Sequence, residues 1–134
     1  HILNLMELFK EKMEMGILEP SSAPYSNWWF TVLKKNDTLC FIQDLQPVKK
    51  VMIRNARGGP TINGFAEAFT KRSIYLVYDL YSGSDQFQLA MKSRDITTML
   101  IPFDLVRMCT LPQGGTHSMA HMVNAMNKVD EGRM

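Results

Sequence analysis

The stretch SIYLVYDLYSGSDQFQLAM, residues 73–91, constrains the fold more than any other part of the chain. Residues 73–77 form an apolar, partly β-branched run with turn-forming residues beyond it, which predicts a buried β-strand. Such a strand would bring Asp79 to its carboxyl end, where a carboxylate can bind a metal ion. The residues that follow predict a tight turn or a single helical turn leading into another strand. Taken by itself, Asp79 is equally compatible with a role in capping the next turn.

The composition is that of a globular chain. Its 134 residues, 46% of them hydrophobic and 21% charged, suffice for one domain with a hydrophobic core. Because no apolar run approaches about 18 residues and the N-terminus has no signal-peptide pattern, we expect an intracellular protein, cytoplasmic or nuclear, that does not enter a membrane. Cys40 and Cys109 lack the spacing of metal ligands. Two reduced thiols are therefore expected, with one disulfide between them as the alternative.

The N-terminal segment predicts a helix followed by a linker. Residues 4–15 have apolar side chains at helical spacing, which indicates an amphipathic helix whose charged residues, Lys12 among them, lie on the polar side. Gly16 is a typical C-terminal stop for such a helix. Residues 17–27 contain two prolines and three serines, which predicts an extended linker over the surface.

The main basic cluster belongs to the next part of the chain. Residues 28–33 and 39–42 are two β-rich runs around a polar tip, as in an antiparallel hairpin. Lys34 and Lys35 at this tip are either simply solvated or in contact with phosphate groups. The net charge of +2 does not decide between these alternatives, because only local clustering indicates a nucleic-acid partner. The following segment, VKKVMIRNAR, adds Lys49, Lys50, Arg54 and Arg57 to the cluster.

Short helical and β-rich runs make up the remainder. A Gly-Gly-Pro break at residues 58–60 precedes a predicted helix at residues 62–70. Beyond the central stretch, residues 96–101 and 106–110 are β-rich, and residues 119–129 predict a helix with methionines along one side. This mixture of strands with few helices predicts an α+β layer architecture rather than a doubly wound parallel sheet.

A glycine-rich loop, LPQGGTHS at residues 111–118, leads into the last predicted helix. The free backbone N–H groups of a helix N-terminus can bind an anion such as a phosphate, although the loop is also compatible with a flexible cap. His117 and His121 have i, i+4 spacing and would share a helix face, so together with Asp85 they make an alternative divalent-metal site. A solvated helix face is the simpler interpretation of this histidine pair.

Three stretches of the chain occur in an order and spacing typical of one protein family. GILEPSSAPYSNWWFTVLKKNDTLCFIQDLQPVKK contains a Pro-Ser-Ser and Pro-Tyr-Ser pattern, a basic hairpin and a strand. YDLYSGSDQFQL and LPQGGTHSMAHM follow it. Together they resemble the reverse transcriptase domain of gypsy-type LTR retrotransposons, whose corresponding motifs are GII-P-S-SPYSSP, LDL-SGYHQI and an LPQG or MPFG loop before a helix. The resemblance covers residues 16–129, and three ordered motifs make it far more specific than any one of them.

The resemblance implies the fingers and palm of a polymerase right-hand fold. Residues 1–72 would be mainly fingers, and residues 73–134 would be the palm part with a returning fingers segment. It also implies a relationship to RNA-directed DNA polymerases, which bind DNA or RNA and use divalent metal ions. The expected cofactor is accordingly Mg²⁺ or Mn²⁺, bound weakly or not at all if the chain is inactive.

The same resemblance assigns roles to individual residues. Asp79 would be the first of three carboxylates that hold two Mg²⁺ ions during phosphoryl transfer. Gln113 and Gly114 match the loop that shapes the incoming-nucleotide pocket. Lys34 or Lys35 matches the basic hairpin over the triphosphate of that nucleotide.

Several residues depart from the family pattern. Cys40 stands in place of an Arg that contacts the triphosphate, and a thiol does not replace that charge-assisted contact. Ser84, at a substrate-binding position, stands in place of an aromatic residue under the nucleotide sugar. Gln46 replaces an Arg, and Met119 replaces a Pro. The sequence ends at Met134, before a Tyr-x-Asp-Asp hairpin that would supply the other two carboxylates, so we expect a truncated palm.

The main hypothesis is a retroelement-derived, reverse-transcriptase-like fragment that binds nucleic acid and does not polymerise alone. One alternative is a small divalent-metal-dependent nuclease or hydrolase that uses the candidate metal ligands named above. Another is a domesticated protein-interaction module. In that case Met119, Met122 and Met126 would form an exposed apolar patch on the old palm surface, which self-association would cover.

Overall fold

The computed structural model describes residues 2–53, 61–115 and 117–132. The described parts contain short helices and antiparallel strands, so the predicted α+β fold class is confirmed. Two single turns of 3₁₀ helix connect some of these elements. In chain order the elements are α1 (Ile2–Glu14), β1 (Leu18–Pro20), β2 (Trp29–Leu33), β3 (Leu39–Gln43), α2 (Gln46–Val51), α3 (Ile62–Phe69), the first 3₁₀ turn (Gly83–Gln86), α4 (Met91–Arg94), the second 3₁₀ turn (Asp95–Thr97), β4 (Met99–Ile101), β5 (Asp104–Met108) and α5 (Ser118–Asp130).

The main sheet has three antiparallel strands in the order β1-β5-β4. Leu18 pairs with Met108, and Met99 pairs with Val106, so the apolar side chains of all three strands meet on one face. The predicted surface linker at residues 17–27 is wrong in this part, because Leu18–Pro20 is an edge strand of the sheet. Proline, which has no backbone N–H, is tolerated there because one side of an edge strand has no neighbouring strand to receive that hydrogen bond.

The hydrophobic core lies between α1, this sheet and the β2–β3 hairpin. Phe9 of α1 is fully buried at its centre. Its ring meets Trp29 edge-on at a centroid distance of 5.1 Å and Phe41 in a tilted contact at 5.5 Å. The predicted amphipathic helix and the predicted antiparallel hairpin are both confirmed. Aromatic packing on Phe9 joins the hairpin to the rest of the core.

A cluster of ion pairs holds β1 against β5 on the other face of the sheet. The Glu19 carboxylate accepts hydrogen bonds from Arg107 Nε at 2.7 Å and from Arg94 Nη1 at 3.2 Å. Arg107 also donates to Asp95 Oδ1 at 2.6 Å. Burial by itself would raise the pKa of Glu19, but the hydrogen bonds from Arg107, Cys109 and Arg94 outweigh it and lower that pKa. The ionised form of Glu19 is therefore the one that the fold stabilises.

The predicted buried strand at residues 73–77 is wrong. This segment is not a strand, and its apolar side chains are exposed, with Ile74 at 86% and Val77 at 91%. A strand needs a neighbour to satisfy its backbone N–H and C=O groups, and no described strand pairs with this one. The turn predicted after it is confirmed as the first 3₁₀ turn, but the strand expected beyond that turn is reduced to a bridge between Gln88 and Thr110.

The remaining predictions fit the described residues to different degrees. The helix expected at residues 62–70 is confirmed as α3, although none of its side chains is buried. Helix α2, which the sequence pattern did not indicate, overlaps the start of the basic segment 48–57. Arg54 and Arg57 of that segment lie outside the described residues, as does the break at residues 58–60. Within the described ranges, no helix has both the length and the apolar character needed to cross a membrane.

Removing the Phe9 side chain is expected to destabilise the protein strongly. A Phe9→Ala variant loses the packing of a fully buried ring and should lower the free energy of unfolding by about 3–5 kcal/mol. Leu3→Ala is a matched control on the same helix, because Leu3 is 75% exposed. Urea denaturation of the three proteins measures the difference. Equal losses in the two variants would contradict the packing role of Phe9.

Glu19 should make stability depend on pH. A group whose pKa is lowered by folding stabilises the folded state above its unfolded pKa, and this contribution is lost as the pH falls through the folded pKa. Glu19→Gln should therefore be less stable than the wild type near neutral pH, and the gap should close at an acidic pH below the lowered pKa of Glu19. Urea denaturation at both pH values measures it, with Glu14→Gln at the exposed end of α1 as the control. A gap that stays constant with pH would refute the assignment.

Candidate functional site

A cavity of about 340 Å³ lies between α1, β3, the first 3₁₀ turn and the loop that precedes α5. We call it the hairpin cavity, because the β2–β3 hairpin supplies one of its walls. Its lining includes charged and amide side chains contributed by separate parts of the chain. The polar residues used in the following argument are Lys12, Lys34, Gln43, Asp85 and Gln113.

The hairpin tip presents its lysines through a tight turn. The backbone N–H of Lys34 donates to the Thr38 carbonyl at 2.9 Å, and the N–H of Asp37 donates to the Lys34 carbonyl at 3.0 Å. Asp37 has a φ of 59°, in the left-handed region that Asp and Asn tolerate better than most residues. Both Lys34 and Lys35 are exposed. Lys34 also lines the hairpin cavity, whereas Lys35 does not.

The glycine-rich loop before α5 has a defined conformation. The buried Ser118 hydroxyl donates to the Pro112 carbonyl at 2.8 Å, and the Gly115 N–H donates to the same carbonyl at 3.2 Å. A Cβ atom at Gly115 would lie 2.7 Å from Ser118 Oγ, so a side chain there would force the Ser118 hydroxyl to shift. Gly114 has a φ of 78°, which favours glycine as well. The loop thereby holds Gln113 and Gly114 at the hairpin cavity, which Lys34 also lines.

Ser84 and Asp85 are neighbours in the first 3₁₀ turn, but only Asp85 lines the hairpin cavity. Ser84 does not line the hairpin cavity, and its hydroxyl contacts Met122 Sδ of α5 at 3.6 Å. Asp85 does line the cavity, and its Oδ2 lies 3.9 Å from Lys12 Nζ. The substrate-binding position assigned to Ser84 is thus outside the cavity that holds Lys34, Gln113 and Gly114.

The structure places Asp79 apart from these groups. It is exposed, belongs to the segment without strand structure and does not line the hairpin cavity. Among residues 2–53, 61–115 and 117–132, no three His, Cys, Asp or Glu side chains are close enough to hold a metal ion. The described residues therefore do not fit a two-metal centre, which needs several carboxylate ligands.

The alternative metal site is not assembled either. His121 is exposed, and its ring meets the Phe87 ring edge-on at a centroid distance of 5.4 Å. Asp85 pairs with Lys12 of α1 instead of joining His117 and His121 in a ligand set. His121 therefore contacts Phe87 and Asp85 contacts Lys12, so two of the three proposed ligands have other partners.

Two cavity residues were missed by the sequence analysis. Lys12 was grouped with the polar side of its helix, but it lines the cavity together with Leu8, one helical turn earlier. The i, i+4 spacing from this apolar residue was the sequence signal that Lys12 faces the same side as Leu8. Gln43 is 8% exposed, and its Nε2 donates to the Thr97 carbonyl. Its Oε1 is buried and has no hydrogen-bond partner among the described residues. No sequence pattern distinguished Gln43 from an ordinary strand residue.

The two cysteines are both free thiols, as expected from the first interpretation. Cys40 is half-buried and lines the hairpin cavity. Cys109 is buried, and burial together with the neighbouring Glu19 carboxylate raises the pKa of its thiol. Cys109 therefore favours the neutral thiol form.

A smaller and more apolar cavity of about 240 Å³ lies between α2, the glycine-rich loop and the start of α5. Leu45, Val48 and Leu111 contribute to its wall, and Lys49 borders it. Lys49 and Lys50 are both exposed on α2. The positive charge of the described part of the basic cluster is therefore on the surface of α2 and at the hairpin tip.

Solved structures show the same fold. The chain superposes on the Prototype Foamy Virus Protease-Reverse Transcriptase CSH mutant with a TM-score of 0.81 and 17% sequence identity, covering 96% of this chain and 17% of that one. The structure of the foamy viral protease-reverse transcriptase dRH in complex with double-stranded DNA gives a TM-score of 0.73 at 16% identity, covering 96% and 22% of the two chains. The foamy viral protease-reverse transcriptase in complex with double-stranded DNA gives 0.77 at 17% identity, covering 92% and 26%.

These likenesses establish the fold of the described chain as part of a polymerase right-hand fold of the reverse transcriptase type. The chain spans only about a fifth of the length of those viral proteins. No protein-family model and no curated protein sequence matches it.

Proposed function

We propose that this chain is a reverse-transcriptase-like segment of retroelement origin, of the gypsy type, that binds DNA or RNA inside the cell and does not polymerise by itself. The observation that carries the proposal is the likeness of fold over 96% of the chain. Two of the similar viral structures are complexes with double-stranded DNA, which supports a nucleic-acid partner for this chain.

The charge and geometry of the hairpin support phosphate binding. Lys34 and Lys35 are exposed at a tip whose backbone hydrogen bonds fix its shape, so their ammonium groups are available to a phosphate backbone. Lys49 and Lys50 on α2 add further exposed positive charge. Gln113 and Gly114 line the same hairpin cavity as Lys34, which is compatible with a nucleotide pocket between the loop and the hairpin.

The proposed lack of polymerase activity rests on the carboxylates. Two-metal phosphoryl transfer needs ligands that hold both ions at a fixed distance. Asp79 is exposed, and no cluster of three potential ligands surrounds it among the described residues. One carboxylate on an exposed segment does not hold two divalent ions, so we infer that Mg²⁺ or Mn²⁺ binds weakly if at all.

The exposed methionines of α5 favour a second proposal, that the chain associates with itself. Met119 is 70% exposed and Met126 is 38% exposed on α5, while Met122 packs against the first 3₁₀ turn. Exposed apolar side chains on one helix are typical of surfaces that another protein molecule covers. A second copy of the chain is the proposed partner, and this role is compatible with nucleic-acid binding.

Neutralising the hairpin tip should weaken nucleic-acid binding. A Lys34→Gln/Lys35→Gln variant loses two cations, so its affinity for a single-stranded oligonucleotide should fall, and the slope of log K against log salt should decrease by about 0.7 per lost phosphate contact. Fluorescence anisotropy at several salt concentrations measures both quantities. Lys10→Gln/Lys128→Gln, at exposed positions of α1 and α5, removes the same charge elsewhere. Equal slopes in both double variants would contradict a specific role of the hairpin tip.

A primer-extension assay tests the inferred inactivity. An end-labelled primer on a template, incubated with deoxynucleotides and Mg²⁺ or Mn²⁺, should remain unchanged with the wild type and with Asp79→Asn. A primer lengthened by the wild type but not by Asp79→Asn would refute the inferred inactivity. A primer shortened only by the wild type would establish a nuclease instead.

A further inference from the structure

One ion pair in the lining of the hairpin cavity joins two elements that are distant in the chain. Lys12 Nζ of α1 lies 3.9 Å from Asp85 Oδ2 of the first 3₁₀ turn. Both side chains are largely buried, with 21% of Lys12 and 15% of Asp85 exposed. Both also line the cavity. The pair therefore sits in a recess in which a ligand would meet both charges.

The position of Lys12 is fixed by contacts other than this ion pair. Its ammonium group lies 5.4 Å from the centroid of the Phe41 ring, within the range of a cation–π contact. Phe41 is packed on Phe9, so the aromatic part of the core holds the surface on which the ammonium rests. The cation would thus stay at the cavity if its contact with Asp85 were lost.

The contact with Asp85 leaves hydrogen-bonding capacity on Lys12. A separation of 3.9 Å is too long for a hydrogen bond, so it provides Coulomb attraction without using an N–H donor of the ammonium group. A phosphate oxygen that entered the cavity could accept one of these donors at close range. Such an anion would then compete with the Asp85 carboxylate for the same cation.

Asp85 opposes the binding of an anion in the hairpin cavity. Lys12 and Lys34 contribute two positive charges to the lining, and Asp85 contributes one negative charge. The carboxylate offsets part of the positive potential and repels an entering anion directly. Neutralising Asp85 would therefore strengthen anion binding, whereas neutralising Lys12 would weaken it.

We propose that Lys12 is a phosphate-binding residue of the hairpin cavity and that Asp85 is a built-in competitor that limits its affinity for phosphate groups. This inference rests on the proposed function, because it names a further residue of the same binding site and the group that regulates it. The recognised chemistry is a phosphate, which either the polyphosphate of a nucleotide or the backbone of a nucleic acid can supply.

The test compares the binding of two phosphate-bearing probes by charge variants. The probes are inorganic triphosphate, measured by calorimetry without added metal ions, and a short labelled single-stranded oligonucleotide, measured by anisotropy, both at low salt. Asp85→Asn should bind at least one probe about two- to fivefold more tightly than the wild type, and Lys12→Met should bind it more weakly by a similar factor. In the Lys12→Met background, the gain from Asp85→Asn should become smaller.

Matched controls separate the local effect from net charge and from folding. Glu7→Gln and Lys10→Met change the charge of exposed residues on α1 by the same amounts without touching the cavity. Lys12→Arg keeps the cation and should retain most of the affinity. Urea denaturation of each variant shows whether a loss of binding is a loss of the fold, and Asp85→Asn remains informative even if Lys12→Met is unstable.

The outcomes distinguish this inference from the function on which it rests. If the substitutions change the affinity for triphosphate alone, the site binds nucleotide phosphates. If they change the affinity for the oligonucleotide alone, the site binds the nucleic-acid backbone. If Lys34→Gln weakens binding while Asp85→Asn and Lys12→Met behave like their controls, the inference is wrong and the proposed function stands. If neither the wild type nor Asp85→Asn binds either probe, the proposed function fails together with the inference.

Discussion

The packing of Phe9 against the hairpin is the interaction on which the rest of the structure depends. The hairpin has two strands of its own, and a two-stranded hairpin in water is at best marginally stable. Contacts of Phe9 with Trp29 and Phe41 attach it to the core of the three-stranded sheet. Since Lys34 and one wall of the hairpin cavity belong to this hairpin, a buried aromatic ring determines where the positive charge of the site is held.

Local patterns predicted the elements whose side chains find partners nearby. Helix α1 and the hairpin have clear periodicity, and both were correctly predicted. Residues 73–77 show an equally clear strand pattern, yet they are exposed, because strand formation depends on a neighbouring strand and not on the run itself. Leu18–Pro20 shows the reverse case, since a segment that looked like a linker is held as a strand by its neighbour β5.

The candidate site was predictable to the extent that each residue acts through its local segment. The hairpin tip with Lys34 and the glycine-rich loop with Gln113 and Gly114 were recognisable from sequence, and these residues line one cavity, while their substrate-binding role comes from the family resemblance and stays a prediction. Lys12 and Asp85 could not be grouped from the sequence, since only the folded chain brings α1 and the first 3₁₀ turn together. Glu19 and its arginines likewise come from three separate segments and become a cluster only in the folded chain.

Binding and catalysis make different demands on this structure. A cavity that recognises phosphate needs cations held by rigid elements, and α1 and the hairpin are tied together through the core. Metal-dependent phosphoryl transfer needs carboxylates placed to within about half an ångström by packed supporting residues. Asp79 lies on an exposed segment that no described strand pairs with, so nothing in the described chain fixes it to that precision. The proposed recognition at the hairpin cavity therefore does not depend on the placement of Asp79.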